Sequence, residues 1–232
     1  MPAEVRLLLV DPTHGRRDPT PKQLHGLVST LLAESDEQHA APEKPWSTAI
    51  TRVSPTELEV AIGWLPIESP PPLAPTSVRL GPSNYPITAI DLTQVTFERL
   101  ASHPADEVGL EILTPTWTSR DGQATPFPDP IVVFTRLIAR WNRYAPPPAH
   151  IDTTMRNNLL DTLELRAWSG ETWRFDLGRG ARTGFVGRVV VGVTETGTRM
   201  PSRLLGALSG FAELAGIGAQ TTFGAGRVQI VR

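Results

Sequence analysis

Cysteine is absent from the 232 residues. Its absence removes disulfides, thiolate nucleophiles, zinc–thiolate sites and iron–sulfur clusters together, and suits a reducing compartment. A cytoplasmic protein is expected. Long apolar runs are missing too, since none approaches the roughly 20 residues of a membrane-spanning helix. The opening stretch MPAEVRLLLVD meets an aspartate too early for a signal peptide, so neither membrane association nor export is expected. A basic excess is also lacking: 22 Lys and Arg face 24 Asp and Glu, a net charge of −2, which speaks against an extensive phosphate-binding surface. The charge is uneven, however. Residues 1–70 carry 6 basic and 10 acidic side chains, 71–150 carry 6 and 7, and 151–232 carry 10 and 7. All ten cations of that last third are arginines, whose planar fork suits phosphate and stacks on bases. The remaining composition, 40% hydrophobic and 20% charged, is ordinary for one large globular domain or two small ones.

Periodicity predicts the elements. Val5 to Val10 reads as a strand, and Pro12, Gly15 and Pro19 mark a loop bearing Arg16 and Arg17. Thr20 before Pro21 predicts a helix start, and Leu24, Leu27, Val28, Leu31 and Leu32 keep helical spacing to about Glu34. Trp46 to Val53 and Leu58 to Leu65 read as a hairpin turning at Ser54-Pro55. The run Ser69 to Pro75 is a connector, because its prolines remove donors and block helical neighbours, and a β-rich pattern returns from Tyr85 to Leu100. The second half repeats the theme. It has a strand at Val108 to Leu113 and a helix at Pro130 to Tyr144, stopped by prolines 146–148. Apolar segments of either type follow at 159–168, 173–177 and 185–193, then a helix at Leu204 to Ala215 and a strand at Val228 to Val231. Two βαββαβ-like halves, 1–104 and 105–232, are the simplest summary.

The sharpest local signal is Gly216-Ile-Gly218-Ala-Gln-Thr-Thr-Phe-Gly224-Ala-Gly226. A dinucleotide fingerprint would need a third glycine where Thr221 stands, with a helix and another strand after it. A P-loop would need Gly-Lys followed by Ser or Thr. Both fail. What remains is a glycine loop between the last helix and the last strand, either a structural turn or a set of bare amides able to approach phosphate.

These residues resemble the C-terminal glycine-rich loop of the CRISPR-associated repeat-cleaving endoribonucleases. Gly184-Phe185-Val186-Gly187 is similar to a strand of that family, and Leu113-Thr114-Pro115-Thr116, the Asp121-Gly122 turn, Pro128 and Arg140-Trp141-Asn142 resemble its central segment. The resemblance spans the chain and implies the RAMP superfamily, hence an α+β fold of two tandem ferredoxin-like domains with antiparallel sheets. It puts His39, in His39-Ala-Ala-Pro-Glu-Lys44-Pro45-Trp46, on the catalytic position and Lys44 on a supporting one. Gln38 replaces the usual apolar residue, Ser29 stands where a tyrosine is sometimes found, and His25 is the second choice of base. The implied partner is CRISPR repeat RNA within precursor crRNA. Association with effector-complex subunits and a monomeric or homodimeric state stay open.

The chemistry fits a histidine. RNA supplies its own nucleophile in the 2′-hydroxyl, and a group with an unperturbed pKa near 6.5 moves protons well at neutral pH. No cofactor and no metal are expected, and the products would be a 2′,3′-cyclic phosphate and a 5′-hydroxyl. A metal site from Asp36, Glu37 and His39 is the weaker alternative, because adjacent acids at a helix end are usually solvated. Expected RNA contacts are Gly216, Gly218, Gln220, Thr221, Thr222, Gly224 and Gly226, with Arg174, Arg179, Arg182 and Arg188 beside a flexible Gly178/Gly180 loop. With aromatics at 6%, backbone and shape recognition is expected over a broad stacking platform. Binding and cutting are expected on opposite halves of the chain. The rivals are a non-catalytic RAMP-type crRNA-binding subunit and a ferredoxin-like scaffold without RNA function.

Overall fold

The computed structural model describes residues 1–15, 18–35, 40–41, 43–120, 123–178, 180–194 and 197–231. In the first half β1 (Ala3–Val10) leads to α1 (Pro21–Leu31), then to β2 (Trp46–Ser54), β3 (Glu57–Trp64), β4 (Ser77–Leu80) and β5 (Ser83–Gln94). A capping box starts α1: the Thr20 side chain accepts from Gln23 N–H while the Gln23 side chain accepts from Thr20 N–H, two otherwise orphaned donors satisfied at once. The strands form one antiparallel sheet in the order β2-β3-β1-β5-β4. Alternate residues Val5, Leu7 and Leu9 point under α1, against Leu24, Leu27 and Val28, and each fully buried side chain of this kind stabilises by roughly 1.5–3 kcal/mol.

A short helix α2 (Phe97–Ala101) follows, then β6 (Glu107–Thr116), the hairpin β7 (Thr118–Arg120) and β8 (Gln123–Thr125), α3 (Pro130–Tyr144), α4 (Thr153–Leu160), β9 (Leu163–Asp176), β10 (Ala181–Val193), α5 (Met200–Ala215) and β11 (Val228–Val231). Here the sheet order is β11-β6-β10-β9. That is the ferredoxin order 4-1-3-2, with α3 and α5 as the two crossover helices. The same order runs through β5-β1-β3-β2 of the first sheet, where the connector and β4 stand in the place of the second crossover helix. The fold is therefore a tandem ferredoxin-like α+β fold, as the resemblance implies. Its second core lies between Leu110, Ile112, Val189 and Val191 of the sheet and Phe134, Leu137, Trp141, Leu205, Leu208 and Phe211 of the helices.

Four details differ from the expectation. The β-rich run ends at Gln94, and Leu100 belongs to α2, whose Phe97 is buried in the second core; the Thr96 side chain caps it by accepting from Arg99 N–H. The four-residue β4 and the eight-residue α4, capped by Asp152, carry too little periodicity to announce themselves. Leu163–Asp176 and Ala181–Val193 pair as one long ribbon in place of three separate segments.

Candidate functional site

The glycine-rich stretch lies between α5 and β11, and its backbone is unusual. Gly216, Gly218, Gly224 and Gly226 all have positive φ, as does Gln220 at 61°, and a 3-10 turn spans Thr221–Phe223. Six of its amides bond inside the protein. Gly216 N–H donates to Ala212, Ile217 to Gly226, Ala219 to Trp117, Phe223 and Ala225 to Gln220, and Gly226 to Pro115. A Cβ on Gly226 would overlap the Ile217 carbonyl oxygen. The glycines thus let the loop fold tightly onto β6 more than they bare amides to a ligand.

The loop also touches the first half. His25, half-buried on α1, stacks on Phe223 with ring centroids 4.2 Å apart and planes 4° from parallel, and its Nδ1 donates to the Thr222 carbonyl at 3.0 Å. A carbonyl can only accept, so Nδ1 carries the proton. Arg140 of α3 reaches the same place. Its Nη1 donates to the Ala215 carbonyl at the end of α5 and to Thr221 Oγ1 (3.3 Å), and its Nη2 lies 3.5 Å from the Trp46 carbonyl. A cation at a helix C-terminus is favourable. Burial pulls the Arg140 pKa below the usual arginine value, and among the described residues no carboxylate forms a salt bridge with it.

Between these elements lies a cavity of about 480 Å³ lined by Lys44, Arg136, Arg140, Gln220, Thr221 and Thr222. Glu43 is also at its rim and pairs with Arg143 at 2.9 Å. Lys44 itself is buried, its Nζ 3.4 Å from Glu34 Oε2, with side-chain exposures of 6% and 5%. Burial would raise the Glu34 pKa, but the hydrogen bond from the Trp46 indole, together with the nearby Ser29 hydroxyl and Lys44, holds it below its ordinary value. Ser29 is therefore part of the buried floor beneath the cavity. His39 lies outside the described residues, as do Asp36 and Glu37 of the metal alternative and Arg179.

Residues 110–228 match the family model of the CRISPR-associated endoribonuclease Cas6. The chain belongs to the Cas6 family. Solved Cas6 structures share its fold over the whole length. One Cas6 product complex is 25% identical with a TM-score of 0.83, and another is 24% identical at 0.81, each covering 100% of both chains. A Thermus thermophilus Cas6 is 21% identical at 0.71, covering 100% of this chain and 98% of that one. No curated protein matches the sequence.

In this Cas6 the glycine-rich loop, His25 and Lys44 converge, although the chain separates them by up to about 200 positions. The expected binding loop and the expected catalytic segment are far apart in the sequence; in space, the loop packs on the half that carries His25 and Lys44. Arg174, Arg182 and Arg188 sit elsewhere, on the β9–β10 ribbon, with Arg174 and Arg182 exposed. Sequence reasoning missed Arg136 and Arg140 as cavity residues. Their i, i+4 spacing on α3, beside a helix face that buries Val133, Phe134, Leu137 and Trp141, was the available signal.

Proposed function

We propose that this Cas6 cleaves repeat RNA without a metal ion, with the scissile phosphate held in the cavity between the glycine-rich loop, Lys44 and α3. The 2′-hydroxyl oxygen attacks the adjacent phosphorus as a base takes its proton, the 5′-oxygen leaves and takes up a proton, and a 2′,3′-cyclic phosphate remains. Charge developing on the phosphorane calls for cations aimed into a partly dry site. The observation that carries the reading is Arg140, a largely buried guanidinium that lines the cavity and, among the described residues, hydrogen-bonds neutral oxygens. Its charge is thus available to an anion, whereas that of Lys44 is partly balanced by Glu34.

His39 is assigned the base. It stands five residues before Lys44, so the chain tethers it within about 18 Å of that cavity residue. His25 already gives its Nδ1 proton to Thr222, which suits it better to holding the loop. The Cas6 that is 25% identical was solved as a product complex, and this chain shares its fold end to end.

Purified protein with a repeat hairpin in excess EDTA should give one cut with cyclic phosphate and 5′-hydroxyl ends, and a 2′-deoxy sugar at the cut site should leave the RNA bound and intact. His39→Ala should abolish cutting and spare binding. Cutting of the deoxy substrate would overturn the mechanism, full activity of His39→Ala would move the base elsewhere, and binding with no cut under any condition would favour the non-catalytic crRNA-binding reading.

A further inference from the structure

The β9–β10 ribbon exposes two of the six tryptophans. Trp168 is 60% exposed and Trp173 is 54% exposed, on a strand whose residues from Ala167 to Arg174 are all exposed. Exposed tryptophans are enriched where proteins meet their partners. The two rings lie on different faces of the ribbon. Trp168 is in register with Val189, on the face of Phe185, whereas Trp173 is in register with Gly184, on the face of Phe175.

Trp168 is also held in place. Its ring meets Phe127 at 5.6 Å and 77°, and Phe185 at 6.4 Å and 69°, both edge-to-face. A ring fixed in this way gives up little freedom when something flat settles on it. Phe175, two residues beyond Trp173, packs against Trp117 at 5.7 Å, and the Trp117 carbonyl accepts the Ala219 amide of the glycine-rich loop. The outer part of the ribbon is thereby tied to the wall of the cavity.

Two arginines stand beside the rings to meet a polyanion, with Glu171 and Asp176 on the same ribbon. Arg174 follows Trp173 directly, and Arg182 faces Phe175 across the ribbon. Among the described residues neither arginine has a carboxylate within salt-bridge distance. Flat exposed rings interleaved with unneutralised arginines are the combination that single-stranded nucleic acid uses, with stacking on the bases and charge on the phosphates.

We propose that Trp168 and Trp173 are base-stacking residues that take unpaired nucleotides of the repeat RNA, one on each face of the ribbon. This deepens the RNA-cleaving reading and rests on it. The substrate recognised would then be a hairpin with unpaired nucleotides beside its stem, in place of a bare duplex. Stacking makes a contribution that salt does not screen, so it separates from the arginine contribution in one experiment.

The test titrates wild type, Trp173→Ala, Trp168→Phe and Arg182→Gln with a repeat hairpin that carries unpaired flanks and a 2′-deoxy sugar at the cut site, at several salt concentrations. Trp173→Ala should weaken binding about tenfold with the salt slope unchanged, Trp168→Phe should keep most of the affinity, and Arg182→Gln should lower the slope by about 1. The same duplex without unpaired nucleotides should bind wild type and Trp173→Ala equally. Because Trp173 has so little packing, its replacement leaves the fold intact, which thermal melting checks. Equal affinity of Trp173→Ala and wild type for the flanked hairpin overturns the proposal, and so does a tryptophan-dependent dimer in sedimentation with RNA affinity unchanged, which would make the ribbon a contact between copies. An all-ribose hairpin that binds but stays uncut defeats the nuclease reading alone, and the tryptophan comparison is still decided.

Discussion

The glycine-rich loop and the β9–β10 ribbon are both assigned to RNA, yet they are built on opposite principles. The loop is wedged between the two ferredoxin-like halves: six of its amides are internally bonded, and at Gly218 and Gly226 a side chain would strike backbone. The outer strand of the ribbon is exposed from Ala167 to Arg174, and at Gly178 and Gly180 a side chain would meet nothing within 4 Å. A surface that must hold one phosphate in place gains from being over-determined. One that must follow a strand of RNA gains from being accessible.

The largest expected effect tests the rigidity of the loop. Gly226→Ala places a Cβ against the Ile217 carbonyl at a φ of 71° and should cost about 3 kcal/mol or more, whereas Gly178→Ala, at a φ of 77° in open space, should cost about 1 kcal/mol. Urea unfolding of the two variants decides it, and equal costs would break the comparison. Next comes the floor of the cavity. Glu34→Gln takes the counter-charge from the buried Lys44 and should destabilise by about 3 kcal/mol. The Glu34 pKa is lowered in the folded protein, so its stabilisation is complete above the ordinary glutamate pKa of about 4.3 and disappears as pH falls through the lowered value. The gap between wild type and Glu34→Gln should therefore close on acidification, and a gap that stays constant down to acid unfolding would show that the charge is irrelevant. The smallest effect belongs to the ribbon. Arg174→Gln should change stability by no more than about 0.5 kcal/mol while lowering the salt slope of RNA binding by about 1. A large drop in melting temperature would show that the ribbon is structural after all.

The same contrast explains what could be read from the sequence. Helices α1 and α3 each bury one face, so their apolar residues recur with helical spacing, and α5, buried on most sides, shows as an apolar run whose first turn, from Met200, the expected start at Leu204 leaves out. β2 and β3 turn at Ser54-Pro55 as their pattern indicates. The ribbon has no buried face between Ala167 and Arg174, so nothing forces an alternation there, and its continuity is invisible in one dimension. The glycine-rich loop was visible because positive φ leaves a compositional mark. Its partners were not, because His25, Pro115, Trp117 and Arg140 meet it through contacts between residues about 80 to 200 positions apart, which local pattern does not record. Lys44 was found through the family pattern, but its pairing with Glu34 depends on how the chain between them returns.

The stretch from Glu213 to Arg227 is tied to the first half at four points: Ser47 donates to the Leu214 carbonyl, Arg140 joins Ala215 and Thr221 to Trp46, His25 donates to Thr222, and Arg227 pairs with Glu4. In the order of synthesis this has a consequence. The first sheet has all its strands once residue 94 is made, and domains generally fold as they emerge, N-terminal first. The wall of the cavity is among the last pieces of chain to be translated, and it carries the longest-range contacts in the molecule. A product broken off before residue 213 would keep the first sheet and lack the cavity wall, so that an unfinished copy would be without the proposed phosphate site.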